Sequence, residues 1–518
     1  MNNQITNRLG TIWHVNIFLQ INISLQNKHC PGNPNRRYLP PMSKYFASFV
    51  TAHLKRLTIC ALLSCSSLAT AQENADPFHT EARVPRQPAL FANNGSNDPC
   101  PKQIPGNPLN LLDVVNIALC DNPQTRVAWQ NSRIQAAQVG VNQAAYLPSV
   151  NASISADHNL SGGNQRDASI TLSYLLYDFG ARDANLENAR QLLAAAGATQ
   201  DSIIQTVFLS AVQAFYQVQA TQAALDAAVE SERAAAESLA AAQARYAAGV
   251  ATPADKLQAQ TAYSQATLNR ISAAGSVKNA QGVLANALGR DANQNVPLVV
   301  GSSADINPGF EADVNALIEE ARRQRPDLLA AGAQVAAAKA NADAVRAAGK
   351  PTISLNASSN HQNFNGIDTH DTLVGFSLDI PIFSGYASTY QIRSANEQVG
   401  VKNAQFEQLR LQIALDVWTA YQNLTTATQT LRSSADLLAS ASESENVALG
   451  RYKAGVGNIL DLLNAQSALA SARQQRIQAT FNWNISRATL GQAIGNLDAG
   501  LLQSFADSRN STKVMDKP

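Results

Sequence analysis

The sequence of 518 residues is poor in charged and in aromatic side chains. Charged residues make up 15% of it and aromatic residues 6%, whereas about 25% charged residues are usual in globular domains. The 39 basic residues nearly balance the 38 acidic ones, so the composition gives no sign of the basic face that nucleic-acid binding requires. This composition suits long helices that pack through small side chains better than a large globular core.

The chain also lacks long apolar runs and catalytic motifs. No stretch approaches the roughly 18 consecutive apolar residues of a membrane-spanning helix, so entry into a membrane would require β-strands. The sequence contains no phosphate-binding loop, no dinucleotide fingerprint, no HExxH and no GxSxG motif. The seven histidines show no metal-ligand spacing. We therefore expect no enzyme activity, no metal, no cofactor and no nucleic-acid partner.

Residues 42–71 have the pattern of a secretory signal peptide. Basic residues precede the apolar stretch 57–68, and an A-x-A cleavage site ends the segment. Because signal peptides stand at the start of a chain, we expect the natural product to begin at Met42. Residues 1–41 would then be a non-native or disordered extension. A lipoprotein signal with lipidation at Cys65 is the alternative.

Export leaves two cysteines in the mature chain, Cys100 and Cys120. An even pair in an exported protein predicts a disulfide. It would close a loop of about 21 residues and contribute roughly 3 kcal/mol in the chain-entropy model. Two unpaired thiols are the alternative.

The mature sequence consists of two similar halves. Residues 245–260, RYAAGVATPADKLQAQ, match residues 451–466, RYKAGVGNILDLLNAQ, without a gap. Asn122-Pro123 recurs as Arg325-Pro326. Repetition at a fixed offset indicates that each half is one structural unit. The predicted segments are 1–41, the extension; 42–71, the signal peptide; 72–108, an extended segment; 109–290, the first repeat; 291–311, a linker; 312–496, the second repeat; and 497–518, a disordered tail.

Each half is predicted to have the same order of elements. A first helix, 109–146 or 312–348, ends at a proline. Two segments that alternate polar and apolar residues then predict a β-hairpin, and a long helix and a returning helix follow. The hairpins are predicted at 149–176 and 352–380 with loops at 159–166 and 362–370, the long helices at 182–248 and 387–453, and the returning helices at 253–289 and 458–490.

The hairpins have two interpretations. Strands of about ten residues with one apolar side match a transmembrane β-barrel wall, and they match a soluble hairpin equally well. The signal peptide and the missing apolar helix favour the barrel. Four strands cannot close a barrel, because about eight is the minimum, and an open sheet edge in lipid leaves backbone groups unpaired. The barrel interpretation therefore requires an oligomer.

Several motifs together resemble the TolC family of trimeric outer-membrane efflux and secretion channels. The resemblance covers residues 109–496. It rests on LNLLDVVNIALCDNP at 109–123, LLYDFGAR at 175–182, RPDL at 325–328, PIFSGY at 381–386 and both RYxAGV motifs.

The resemblance implies an α+β membrane protein, a homotrimer whose chains each contribute four strands to one transmembrane β-barrel. That barrel would continue into a long periplasmic α-helical barrel. The implied location is the outer membrane of a Gram-negative cell, in contact with outer-membrane lipid. The implied partners are a periplasmic adaptor and an inner-membrane pump of the RND or ABC type. Such a channel is a passive conduit for multidrug efflux or type I protein secretion.

The resemblance also places functional residues at the periplasmic tip, where both RYxAGV turns would lie. Copies of Asp461 would form a negative ring there, and Tyr452 would bond to Asp255 as a latch. Asn464 stands where some members have a second aspartate, and Gly457 where some have a basic latch residue. The turn residues expected to contact the adaptor are Arg245, Tyr246, Gly249, Arg451 and Gly455.

Two alternatives remain open. Asp255 and Asp461 would also be explained as ordinary acids at helix starts, where a negative charge is favourable. For the whole chain, the alternative function is a periplasmic coiled-coil adaptor or scaffold. Long alanine-rich helices fit that function, but two strand pairs in tandem halves do not.

Overall fold

A computed structural model describes residues 76–84, 108–159, 163–294, 296–299 and 313–497. Within these ranges the chain is mostly helical and has one four-stranded sheet. The first half comprises α1 (Leu111–Asp121), α2 (Pro123–Ala144), β1 (Ser149–Asn159), β2 (Gly163–Tyr177), α3 (Ala181–Ala247) and α4 (Pro253–Ala287). The second half comprises α5 (Val314–Gln324), α6 (Pro326–Ala348), β3 (Thr352–Phe364), β4 (Ile367–Asp379), α7 (Ala387–Lys453) and α8 (Ile459–Ile494).

The first helix of each half is broken in two, so the expectation of single helices at 109–146 and 312–348 was wrong. Asn122 (φ −64°, ψ 128°) and Arg325 (φ −63°, ψ 121°) both have extended backbone. Each precedes a proline, whose ring disfavours the helical conformation of the residue before it. Asn122 also caps the following helix, because its side-chain oxygen accepts a bond of 2.9 Å from the Gln124 N–H.

The strands extend further than the sequence predicted. Most of the residues assigned to loops at 159–166 and 362–370 belong to β2, β3 and β4. The β3–β4 turn is reduced to Asn365 and Gly366, both with positive φ (51° and 88°), which suits a two-residue hairpin turn. The polar composition of these strand ends resembles that of a loop, and this explains the error.

All neighbouring strands are antiparallel, in the order β1-β2-β3-β4. One face carries exposed apolar side chains, such as Ile154 (87% exposed), Ile170 (57%) and Phe376 (77%). Serine, asparagine, threonine and aspartate dominate the opposite face. Along residues 163–170 of β2, the side chains on the polar face are the less exposed ones. The two faces of this part of β2 therefore differ in exposure as well as in polarity.

The two long helices, α3 and α7, contain 67 residues each. At 1.5 Å per residue, each is about 100 Å long. Their ends lie within one residue of the expected ones. No helix in the described ranges is long and apolar enough to cross a membrane.

The helices lie side by side, and their lateral order next to the sheet differs from that further away. Near the sheet the lateral order is α2–α3–α6–α7, and further from the sheet it is α4–α3–α8–α7. One lateral edge of the chain is thus formed by α2 and α4, and the other by α7. The sheet has the same arrangement, because β1 follows α2 and β4 precedes α7.

An ion pair fixes the joint between β2 and α3. Asp178, 6% exposed, accepts bonds from the Arg182 backbone N–H (2.8 Å) and Nε (3.1 Å). Arg182 Nη1 also donates to the Leu175 carbonyl oxygen at 2.7 Å. At the joint between β4 and α7, Ser384 and Ser388 take the matching positions, counted from the first helical residue. The two joints are therefore held differently.

Candidate functional site

Both RYxAGV segments form the same tight turn at the end of a long helix. In the first, the Gly249 N–H donates to the Tyr246 carbonyl oxygen and the Val250 N–H to that of Arg245, both at 3.0 Å. In the second, Gly455 takes the place of Gly249. The glycines have φ of 73° and 80°, a conformation that glycine adopts at no steric cost.

The returning helices begin with different caps. Thr252 and Asp255 form a reciprocal capping box, in which the Asp255 carboxylate accepts the Thr252 N–H at 2.8 Å. In the second half, Asn458 accepts the Asp461 N–H at 2.7 Å. The exposed Asp461 carboxylate forms no hydrogen bond or ion pair with the described residues. The Asp255 side chain thus caps its own helix, whereas the Asp461 carboxylate makes no capping bond. Both acids lie in the first turn of a helix, where a negative charge is favourable.

The two turns pack against each other. Ala242 and Ala259 from the first hairpin and Tyr452, Ile459 and Leu462 from the second form one buried cluster. The structure therefore brings the predicted residues of both repeats to the same end of the molecule.

Arg245 links the two turns directly. Its Nη1 donates to the Tyr452 carbonyl oxygen at 3.0 Å, and its guanidinium carbon lies 4.9 Å from the centre of the Tyr452 ring. This cation–π contact was not expected from the sequence, in which Arg245 was only one of the turn residues expected to contact the adaptor. The Arg-Tyr pair within each repeat does not predict this contact, because Arg245 belongs to the first repeat and Tyr452 to the second.

Tyr452 is buried, with 4% of its surface exposed. No hydrogen bond joins it to Asp255, although the structure describes both residues. Burial raises the pKa of Tyr452, Arg245 lowers it, and the negative charge of Asp255 raises it further. The two side chains are therefore within electrostatic range, and the latch between them stays a prediction.

Gly457 lies where two segments of backbone approach each other closely. A Cβ atom at this position would lie 3.1 Å from the Tyr452 nitrogen and 3.2 Å from the Arg451 carbonyl carbon. A basic residue here would therefore need the turn to shift. Asn464 is exposed on α8, one helical turn after Asp461.

A cleft of about 590 Å³ lies between α7 and α8 beside this turn. Glu443 and Arg451 line it together with Asp461. At the surface of the tip, Tyr246 (42% exposed), Val250 (65%) and Val456 (71%) present apolar groups to solvent. The end of the molecule thus combines a cleft that contains charged side chains with an exposed apolar surface.

Other predicted site features are only partly described. Cys120 is buried and disulfide-bonded, but Cys100 lies outside the described residues, as do residues 1–41, the signal peptide and Cys65. Within the described ranges, no group of three or more histidine, cysteine, aspartate or glutamate residues is arranged to hold a metal ion.

The fold is that of outer-membrane channels. The chain superposes on the open state of the outer-membrane channel MtrE of Neisseria gonorrhoeae with a TM-score of 0.64, at 21% identity, covering 80% of this chain and 98% of that one. It superposes on the outer-membrane channel CmeC of Campylobacter jejuni with a TM-score of 0.67, at 17% identity, covering 77% and 89%.

The sequence profile of the family described as outer membrane efflux protein matches residues 114–290 and 317–496. The chain belongs to this family, as the resemblance implied. Its relatives include protein CyaE of Bordetella pertussis, 32% identical over 413 residues, which cover 77% of this chain and 87% of CyaE. The outer membrane protein TolC of Vibrio cholerae is 24% identical over 428 residues, covering 79% and 95%.

Proposed function

We propose that the chain is one subunit of an outer-membrane channel that passively conducts substrates to the cell exterior. The observation that carries this proposal is the pair of open edges. The β1 edge of the sheet continues into α2, and the β4 edge continues into α7. Unpaired backbone groups at a sheet edge cannot be satisfied by lipid, but β4 of one copy can pair with β1 of the next.

Two different edges that meet head to tail form a ring if the rotation closes. Three copies, the number that the family resemblance implies, would supply three sets of four strands, which exceeds the minimum of about eight. Exposed apolar residues along the helical edges support this ring. They are Val127, Ile134 and Val141 on α2, Leu268 and Ile271 on α4, and Val401, Leu411 and Leu415 on α7.

In this trimer the apolar face contacts lipid, and the polar face lines the lumen. The helices extend into the periplasm, and the two RYxAGV turns form its tip. Signal peptide 42–71 directs export, and Cys100 pairs with Cys120. The similar element order of both halves is explained by tandem duplication of the repeats 109–290 and 312–496.

The tip combines the gate with the docking site for the adaptor. Asp461 forms the ring at the constriction, and Asp255, Tyr452 and Asn464 complete the gate. The turn residues Arg245, Tyr246, Gly249, Arg451 and Gly455 contact a periplasmic adaptor. The energy comes from an RND or ABC pump in the inner membrane, and the cargo is a drug or a type I secreted polypeptide.

Fractionation and conductance measurements test the proposal. After expression in a Gram-negative host, we expect the chain in the outer-membrane fraction as a trimer band that heating converts to monomer. The purified trimer should produce stepwise single-channel currents in planar lipid bilayers. A soluble periplasmic protein without conductance would instead favour the adaptor or scaffold alternative.

A further inference from the structure

The apolar face of the sheet changes character near the hairpin turns. Ile154, Ala168, His361 and His370 are register partners in one row across β1 to β4, so their side chains share one face. His158 lies four residues from Ile154 on β1, and Arg166 two residues from Ala168 on β2. Because these separations are even, all four basic or imidazole groups lie on the apolar face, at the ends remote from the helices. We call His158, Arg166, His361 and His370 the turn-end belt.

Four of the five acidic residues of the described strands lie on the other face. Asp157, Asp167, Asp371 and Asp379 alternate onto the polar face, which has no lysine, arginine or histidine in the described strands. Charge is therefore sorted between the two faces, with basic groups on the side that we assign to lipid.

One acid, Asp368, lies on the same face as the turn-end belt, but its carboxylate already has partners within the protein. Asn363 Nδ2 donates to Asp368 Oδ1 at 2.6 Å, and His361 Nε2 lies 3.6 Å from the same oxygen. The exposed Arg166 forms no ion pair or hydrogen bond with any residue of the described ranges. Its guanidinium is thus a charge without a protein counter-ion.

The belt lies at the depth of a lipid headgroup. On β4, His370 and Leu378 are eight residues apart (378 − 370), about 26 Å along a strand and about 20 Å in height at a tilt near 40°. The aromatic residues Phe383 and Tyr386 follow at the helix end and extend the apolar band toward its usual height of roughly 25 Å. The two borders of the band therefore differ, with aromatic rings at one and basic groups at the other.

We propose that the turn-end belt binds phosphate groups of anionic lipid headgroups in the leaflet remote from the helices. A guanidinium fits phosphate oxygens with two parallel hydrogen bonds, and imidazole N–H groups are further donors. The inference rests on the proposed barrel, because only that barrel exposes this face to lipid.

Lipid selectivity measured by electron paramagnetic resonance tests the inference. The full chain is reconstituted in phosphatidylcholine vesicles with traces of spin-labelled phosphatidic acid or spin-labelled phosphatidylcholine. The motionally restricted fraction of each label gives its association with the protein. We expect phosphatidic acid to be preferred about fivefold at low salt, the effect of one basic group near an anionic surface, and less at high salt.

Three variants make the test specific. Arg166→Gln should lower the preference to below about twofold, and Arg166→Lys should keep most of it, because it keeps the charge. Asp167→Asn is the matched control, since it changes the charge of the adjacent residue on the other face, and it should leave the preference intact.

Equal motional restriction of both labels by the unmodified chain would overturn the proposed lipid binding by the turn-end belt, but it would not contradict the proposed barrel. An equal loss in Arg166→Gln and Asp167→Asn would also count against the belt, because the effect would not depend on the face. No restricted component for either label would overturn the barrel itself, and the belt with it.

Discussion

Asp255 and Asp461 occupy matching positions in the two repeats but have different local roles. The Asp255 carboxylate is bonded to the backbone of its own cap, so it stabilises the start of α4. Asn458 caps α8 without help from the Asp461 side chain. The carboxylate of Asp461 is therefore exposed to solvent and forms no bond with the described residues.

Removing the Asp461 charge should weaken block of the channel by divalent cations. With Asp461→Asn, we expect block to weaken by about tenfold or more, because three exposed carboxylates each contribute roughly 1 kcal/mol to a nearby cation. Single-channel recordings with increasing Mg²⁺ measure this effect. Glu319→Gln on α5 is the control, because it removes an exposed carboxylate outside the tip, and it should leave the block unchanged. Unchanged block in Asp461→Asn would refute the negative ring.

Arg325 lies at the break between α5 and α6 and links this break to α7. It pairs with Asp327 at 2.6 Å and with Asp416 on α7 at 2.9 Å. Burial lowers the pKa of Arg325, but the bonds to the two carboxylates outweigh burial and leave the pKa above its usual value. The guanidinium therefore stays charged, and its stabilising role is electrostatic as well as steric.

Arg325→Ala should destabilise the helical region by about 1–3 kcal/mol, because it leaves two partly buried carboxylates without their cationic partner. Urea unfolding followed by circular dichroism measures the change. Arg410→Ala is a matched control on α7, where Arg410 and Glu407 form an exposed pair at 3.0 Å. An exposed pair contributes little, so this variant should change stability by less than about 0.5 kcal/mol. Equal effects of the two variants would contradict the argument.

At the scale of elements, periodicity predicted the long helices and the hairpins but not all their ends. The ends of α3 and α7 were predictable, because Gly249 and Gly455 follow each helix and suit the left-handed C-terminal turn. The strand ends were not, because residues such as Asn363 and Asp368 are typical of loops and become strand residues only when paired across the sheet. The Arg245–Tyr452 contact was equally hidden, since sequence patterns do not show how two repeats pack together.

The joints between the sheet and the helices should differ in strength. Arg182→Ala removes the bond to Leu175 and leaves the buried Asp178 without its counter-ion, so we expect a loss of about 3 kcal/mol. Ser388→Ala, at the matching position of the second joint, should cost less than about 0.5 kcal/mol. The temperature at which the band of the proposed trimer converts to monomer on gels compares the two. A similar fall in both variants would mean that Arg182 does not carry the first joint.

At the scale of the whole molecule, the lateral order of elements determines which surfaces can meet in a ring. α2 and α7 lie at opposite edges near the sheet, and both carry exposed apolar residues. Contacts through the helices that lie between them show which parts of α2 and α7 are at the same distance from the sheet. Lys402 bonds to Gln334 at 3.1 Å, and Asn188 bonds to the Ala337 carbonyl oxygen at 2.7 Å, so α7 near residue 402 lies level with α3 near residue 188.

The same level of α3 packs against the second half of α2, through a cluster that contains Ala136, Val139 and Ala189. If copies form a ring without a large axial shift, Val401 of one copy should therefore lie beside Ile134 or Val141 of the next. All three residues are more than half exposed in the single chain, at 54%, 61% and 62%. Their burial in the ring would remove this apolar surface from water, a favourable change.

Engineered cysteines at these positions should link the copies to one another. We expect Val401→Cys combined with Ile134→Cys or with Val141→Cys to give dimer and trimer bands on non-reducing gels, and no larger closed species. Either change alone should leave monomers, because a single edge has no partner cysteine within the roughly 7 Å Cα separation that a disulfide tolerates. Val447→Cys with Ile134→Cys is the control, since Val447 is exposed near the far end of α7. Crosslinks that continue to higher oligomers, or that form equally with Val447→Cys, would show that the edges do not close into a ring of three.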